Sequence, residues 1–261
     1  MRDGIRWTPA DAATLADTAQ NAAAVVLDSY SPNDDVGRIV PEQVPIVALH
    51  DFGEPPGRAA LVISVGAPER PGNRFLTGFR FASLRPAYWG LPERRAAPSV
   101  QTVLVTAGGG GAAGEAPRFA AAVREALPAA RIRVVGSSGA DVASPDIEIL
   151  GSPPVLLRPL LEADLVVSAG GQTMLETLAA GVPCVAVPLV ENQRPQTERV
   201  AAEQAVLSAT PETLADAVGT AAGDADLRAA LVRRGQELVD GYGALRIAYY
   251  VERLLDPTDD A

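Results

Sequence analysis

Short apolar runs alternate with alanine-rich amphipathic stretches along most of the chain. No other feature limits the possible folds so strongly. A brief apolar run between breakers reads as a buried strand, and a longer amphipathic stretch reads as a helix. Repeated in order, the two build a parallel sheet with helices on its faces. The expectation is an α/β protein. The pattern predicts a helix opened by Thr8-Pro9-Ala10-Asp11 and running to about residue 21. It predicts strands over 24–27, 45–49 and 59–64, with a short helix over 34–40. Residues 65–100 are rich in Gly, Pro and Arg, which breaks any long element. A linker is placed at 91–99, dividing the chain into domains 1–98 and 99–261.

The second half is more regular. Strands are expected over 102–106, 132–135, 147–150, 165–168 and 184–187. Helices are expected over 116–127, 155–162, 173–180, 194–204, 211–220, 227–240 and 244–255. That order describes a doubly wound domain. The 261 residues suit two domains of about 150 residues each, but the first is short of that length.

Composition removes several function classes. Apolar residues make up 48% and charged residues 21%, which supports a folded core and argues against disorder. The net charge is −10, and all 22 basic residues are arginine. Such a chain has no broad attraction to nucleic acid or anionic lipid. Cys184 is the only cysteine, so no internal disulfide forms. His50 is the only histidine, which excludes the usual Cys/His zinc sites and makes any Ser-His-Asp triad depend on it. No apolar run follows the charged N-terminus, as a signal peptide requires, and none reaches the ~18 residues of a membrane span. A soluble cytoplasmic protein is expected.

Two glycine turns follow strands and precede helices. In the first, Gly108-Gly109-Gly110-Gly111, the residues Gly109, Gly111 and Gly114 spell GxGxxG. A dinucleotide site also needs an acid at the end of the next strand, and Val134-Val135-Gly136-Ser137 supplies none. An NAD site is therefore discounted. What remains is either a loop of bare N–H groups able to approach a phosphate, or a plain strand-to-helix connection. The second turn runs Ala169-Gly170-Gly171-Gln172 into Thr173-Met174-Leu175-Glu176, and Gly181-Val182-Pro183 closes the helix. A helix N-terminus behind two glycines suits a diphosphate. Glu176 has two readings: a capping-box partner of Thr173, or an acceptor for both hydroxyls of a ribose.

The string from Ser168 through Gly170, Gly171, Gln172, Thr173 and Glu176, then Gly181-Val182-Pro183, then Val187-Pro188 to Asn192-Gln193, resembles the GT-B glycosyltransferases. It looks most like the family 28 group around MurG, and closer still to the UDP-sugar hydrolase PseG and its spore-coat relatives (SpsG). Asp28-Ser29-Tyr30, Leu76-Thr77-Gly78 and Leu84-Arg85-Pro86 match motifs of those relatives. The resemblance covers residues 24–205. It implies two Rossmann-like domains and a UDP-sugar held by the second. Gly108, Gly109, Ser168, Gly170, Gly171, Gln172 and Thr173 would belong to the nucleotide site, mostly around the phosphates. Glu176 would take the ribose, and Asn192 with Gln193 the sugar. UDP would leave the anomeric carbon with no metal or cofactor, because N–H groups and a helix end stabilise it.

The nucleophile needs a general base. In PseG-like proteins the resemblance assigns that role to a histidine in a Gly-His-x-x-Arg loop, and no such loop occurs here. The chain looks N-terminally truncated relative to the family. Asp28, Tyr30 and Asp51 are the candidates left at strand ends of the first domain, and His50 has two readings, a substitute base beside Asp51 or a polar residue that caps the sheet. Besides an enzyme, the sequence is open to a nucleotide-sugar-binding subunit completed by an N-terminal partner polypeptide, or to a fragment. The aromatic residues Trp7, Trp89, Tyr249 and Tyr250 read as packing, and the last helix is expected to fold back on the first domain.

Overall fold

The computed structural model describes residues 12–28, 34–50, 55, 57–68, 70, 72, 74–108, 113–136 and 147–256. They form two compact units, Met1–Phe81 with Leu245–Ala261, and Ala82–Ala244. The expected helix start at 8–11, and the residues Ser29, Tyr30, Asp51, Gly109, Gly110, Gly111 and Ser137, lie outside the described residues.

In the first unit, α1 (Ala12–Gln20), β1 (Val25–Asp28), α2 (Asp34–Ile39), β2 (Ile46–Leu49), β3 (Ala59–Ser64) and β4 (Phe75–Thr77) follow one another. The strands are parallel in the order β1-β2-β3-β4. Side-chain alternation divides β2 between two cores. Ile46 and Ala48 join Ala19, Val40, Val44 and Val62 on one face. Val47 joins Leu61, Ile63, Leu76 and Phe81 on the other. That second face is covered by the last helix, Gly243–Leu255. Its Ile247, Tyr250, Val251 and Leu254 recur at helical spacing and pack on the sheet. Tyr250 meets Phe81 edge-on, with centroids 6.2 Å apart.

The second unit holds β5 (Thr102–Thr106), α3 (Ala116–Ala126), β6 (Arg131–Val135), β7 (Ile147–Ile149), α4 (Leu157–Leu161), β8 (Leu165–Ala169), α5 (Gln172–Ala179), β9 (Cys184–Val187), α6 (Arg194–Ala202), β10 (Leu207–Ser208), α7 (Leu214–Gly223) and α8 (Ala225–Leu238). The closing helix Gly243–Leu255 is α9. The six strands are parallel in the order β10-β9-β8-β5-β6-β7. Counted from β5, the first three strands run one way across the sheet and the next three run the other. The winding therefore reverses between β5 and β8, and a crevice opens at their carboxyl ends. The core beneath α3 and α7 is built from Val103, Val105, Phe119, Val123, Ile132, Leu165, Val167, Val185 and Val218.

The Pro/Arg-rich stretch expected to link the domains at 91–99 is docked on the second unit instead. The units part at Phe81/Ala82, upstream of the 98/99 division expected from sequence, and the chain returns to the first unit at Leu245. Backbone polar groups hold the stretch down. The Gln236 side chain accepts from the Arg94 amide at 2.9 Å and donates to the Pro92 carbonyl at 3.1 Å. Arg94 donates to the Ala163 carbonyl at 3.0 Å. Tyr88 is fully buried. Among the described residues no helix is long and apolar enough to cross a membrane.

Candidate functional site

A cavity of about 630 Å³ lies at the winding reversal of the second unit. Ala107 and Gly108 enter it from the end of β5, and Ala169, Gly171, Gln172 and Thr173 from the β8–α5 turn. Gln193 enters from the turn before α6. Five of the residues expected at a phosphate or sugar thus share one wall: Gly108, Gly171, Gln172, Thr173 and Gln193. Gly171 is the N-cap of α5, with no side-chain cap bond, so the first N–H groups of that helix are left for a ligand.

Other expected residues act from behind this wall. Ser168 is fully buried, its hydroxyl donates to the Ala169 carbonyl at 3.0 Å, and its oxygen is 3.7 Å from Cys184 Sγ. It does not line the cavity. Burial pushes the Cys184 thiol up to about 12, so Cys184 is an inert core residue. Gly170 is buried as well, and a Cβ there would run into the Thr197 hydroxyl. Its carbonyl accepts from Gln196 at 3.0 Å. This glycine lets α6 close on the turn. Gln193 fixes the next loop, where its Oε1 accepts from the Leu189 amide at 2.9 Å. Asn192 is half-buried and does not line the cavity.

Thr173 falls inside α5 instead of at its N-cap, so the capping-box reading of Glu176 fails on register. Glu176 is half-buried and faces Tyr88 and Arg85, which precede the docked stretch. It does not line the cavity wall. Burial is the main influence and raises its carboxyl above the ordinary range, with Arg85 and then Tyr88 partly offsetting it. Burial and the Glu176 charge together push the Tyr88 phenol well up. The Tyr88 hydroxyl is buried beside the carboxylate, off the strict geometry of a formed hydrogen bond. Arg85 is anchored on the Pro154 carbonyl, and Gln172 Nε2 donates to the Ser83 carbonyl at 2.9 Å. The Leu-Arg-Pro motif thereby reaches the start of α5.

Sequence reasoning missed Glu115, Arg118 and Arg194, which also line the cavity. A signal was present in the two arginines, each set in the first turn of a helix, where cations are disfavoured. In the first unit, Asp28 ends β1 and is exposed. The His50 amide donates to the Ile63 carbonyl at 2.8 Å, and its Nε2 is buried without a partner among the described residues. Among those residues no group of three or more His, Cys, Asp or Glu side chains could hold a metal.

No family model matches the chain. Two curated proteins match parts of it. Zeaxanthin glucosyltransferase of Pseudescherichia vulneris is 34% identical over 103 residues, 38% of this chain. Spore coat polysaccharide biosynthesis protein SpsG of Bacillus subtilis is 30% identical over 101 residues, 36% of this chain. The match spans 25% of the first relative's length and 30% of the second's. Among solved structures, MurG of Acinetobacter baumannii superposes with a TM-score of 0.66 at 17% identity, covering 93% of this chain and 77% of that one. The MnaA–UDP structure of S. aureus superposes with a TM-score of 0.64 at 12% identity, covering 94% and 78%. The parallel sheets, the winding reversal and these superpositions agree with the resemblance read from the motifs, and the chain has the GT-B glycosyltransferase fold.

Proposed function

We propose that this chain binds a UDP-sugar in the second unit and promotes departure of UDP from the anomeric carbon. The observation that carries the reading is that Ala107 and Gly108 after β5 and the open N-terminus of α5 line one cavity. Backbone N–H groups and a helix end are suited to a leaving diphosphate. The matches to a glucosyltransferase and to MnaA–UDP support the ligand class.

In this reading Gly108, Gly109, Gly171 and Thr173 cradle the diphosphate, and Gln172 braces the turn. Ser168 and Gly170 shape the turn from inside. Glu176 accepts the ribose hydroxyls, and Asn192 with Gln193 meets the sugar. The bond from C1 to the β-phosphate oxygen breaks with its electrons going to UDP. A bond from C1 to the nucleophile's oxygen forms, and the nucleophile's proton passes to a base. Water as nucleophile gives hydrolysis, and an acceptor hydroxyl gives transfer. Asp28, Tyr30 and Asp51 are the proposed bases.

A binding subunit completed by another polypeptide is the second reading. It is favoured by β1, an edge strand among the described residues, whose Val26 is 62% exposed. UDP binding without UDP release from any UDP-sugar would select it over the enzyme.

Thermal melting tests the ligand class. UDP at 100 times its Kd is expected to stabilise the protein by about 2.7 kcal/mol. No shift with UDP or any UDP-sugar would sink the proposal. Glu176→Ala is expected to weaken UDP binding about tenfold or more, because a charge-assisted ribose contact is lost.

The raised Glu176 pKa adds a pH signature. Its native value exceeds the unfolded one, so ionising it costs native stability. That cost is absent below the unfolded pKa and complete above the native one. The free protein should lose stability as pH rises through this window, and Glu176→Gln should not. UDP affinity should run the other way. Only the carboxylate accepts both hydroxyls, so affinity falls as pH drops through the raised pKa. Measuring UDP Kd against pH in wild type and Glu176→Gln cancels the titration of the nucleotide itself. Parallel profiles would remove Glu176 from the ribose.

A further inference from the structure

A second cavity, of about 840 Å³, lies wholly within the second unit and shares no lining residue with the first. It opens where two helices end: Ala179 is the last residue of α5, Val239 is the C-cap of α8, and both line it. The docked stretch, from Leu91 to Ala96, forms another wall. The first cavity meets the opposite end of α5, about 12 Å away along an eight-residue helix. A cavity of this size suits a small organic ligand.

Three arginines line it: Arg94, Arg95 and Arg233. Elsewhere in the chain arginines have partners, as Arg133 and Arg158 have Glu162, and as Arg58 and Arg228 have backbone carbonyls. Arg95 and Arg233 are exposed and make no hydrogen bond or ion pair among the described residues. Arg94 is half-buried; its Nη2 reaches the Ala163 carbonyl, but its Nη1 is buried without a partner among those residues. Burial lowers the Arg94 pKa, and the Asp164 charge only partly offsets it. An unmet donor on a desolvated cation costs stability until an anion approaches.

Three acids share the lining. Glu237 is held by Arg234 at 2.7 Å, and Asp240 Oδ1 accepts from the Tyr242 amide at 3.0 Å. Glu93 has no partner among the described residues. A carboxylate repels a bare anion but accepts from hydroxyl groups. Cations and acceptors side by side therefore favour an anionic group carried on a hydroxylated body. Leu91 and Tyr242 add apolar surface for the faces of such a body.

We propose that this cavity is a second ligand site, for a small sugar that bears a phosphate or a carboxylate. Arg95 and Arg233 grip the anionic group, Arg94 supplies further positive charge, and Glu93 accepts from the hydroxyls. The site does not depend on the UDP-sugar reading of the first cavity. Arg94 also tethers the docked stretch, so the exposed Arg95 and Arg233 carry the test.

The test is calorimetric titration of the full chain with glucose 6-phosphate, glucuronate, glucose and inorganic phosphate. At least one anionic sugar is expected to bind saturably, about tenfold or more tighter than inorganic phosphate, with no binding of glucose. Which of the two binds tells phosphate from carboxylate. Arg95→Ala and Arg233→Ala are each expected to weaken that binding about tenfold, because a charge-assisted bond is lost. Glu93→Ala is expected to weaken the anionic sugar about threefold and to tighten inorganic phosphate. Arg158→Ala, at an exposed arginine that lines neither cavity, should change nothing. Unchanged melting without ligand shows that each variant is folded. Binding of neither anionic sugar up to about 10 mM would overturn the site. So would inorganic phosphate that binds as tightly as both, arginine variants with wild-type affinity, or displacement of the sugar by UDP. A Glu93→Ala protein with wild-type affinity for the anionic sugar would overturn the hydroxyl contact.

Discussion

Arg228→Leu is expected to destabilise the Ala82–Ala244 unit by about 3–5 kcal/mol, an effect as large as breaking a buried ion pair. Arg228 is 1% exposed. Its Nη1 donates to the carbonyls of Ala221 at 2.9 Å and Ala222 at 2.7 Å, near the end of α7. Its Nη2 donates to the carbonyls of Ala97 at 3.1 Å and Pro98 at 2.8 Å. One guanidinium thus satisfies the last turn of a helix and pins the stretch that leads into β5. Leucine matches the stem but leaves four carbonyls without this donor. Lysine should recover less than half of the loss, because one ammonium cannot span both pairs. Thermal melting should show a fall in Tm on the order of 10 °C for leucine. A fall of only one or two degrees would mean that water replaces the guanidinium without cost.

Gly241→Ala should cost about 3 kcal/mol, from two sources that add. Gly241 has φ +83°, where an L side chain is strained. A Cβ at that position would run into the Tyr88 carbonyl oxygen and lie 3.4 Å from Trp89 Cα. Both neighbours are backbone, so relief requires moving the segment that carries Tyr88. Because Tyr88 lies against Glu176, the same substitution should weaken UDP binding as well as stability. Chemical denaturation and UDP titration of one variant check both halves. A stable Gly241→Ala protein with unchanged UDP affinity would separate Tyr88 from the site.

Most of the fold was legible because period and punctuation agreed. Strands such as β5, β8 and β9 are continuous apolar runs between glycine or proline breaks, the pattern of a sheet covered on both faces. The shortest elements were not legible. Leu207–Ser208 is too short to carry a period, and Phe75–Thr77 lies in the breaker-rich stretch where no strand was expected. Gly108, Gly171, Gln172, Thr173 and Gln193 of the two motifs line one cavity, but a motif does not tell which of its members touch a ligand. Ser168, next to last in β8, is fully buried, and Gly170 answers to Thr197. Tyr88 and Arg228 gave no sequence signal, since their importance lies in partners up to 131 residues away.

The return of the last helix bears on the order in which the protein is made. The Val47, Leu61 and Leu76 face of the first unit is covered by residues from Leu245 onward. During synthesis that face leaves the ribosome early and stays bare until Ala82–Ala244 has followed, on the order of ten to thirty seconds. The second unit is contiguous and can close as it emerges. The unit made later is therefore expected to finish first, and the segment from Leu245 onward completes the unit made earlier.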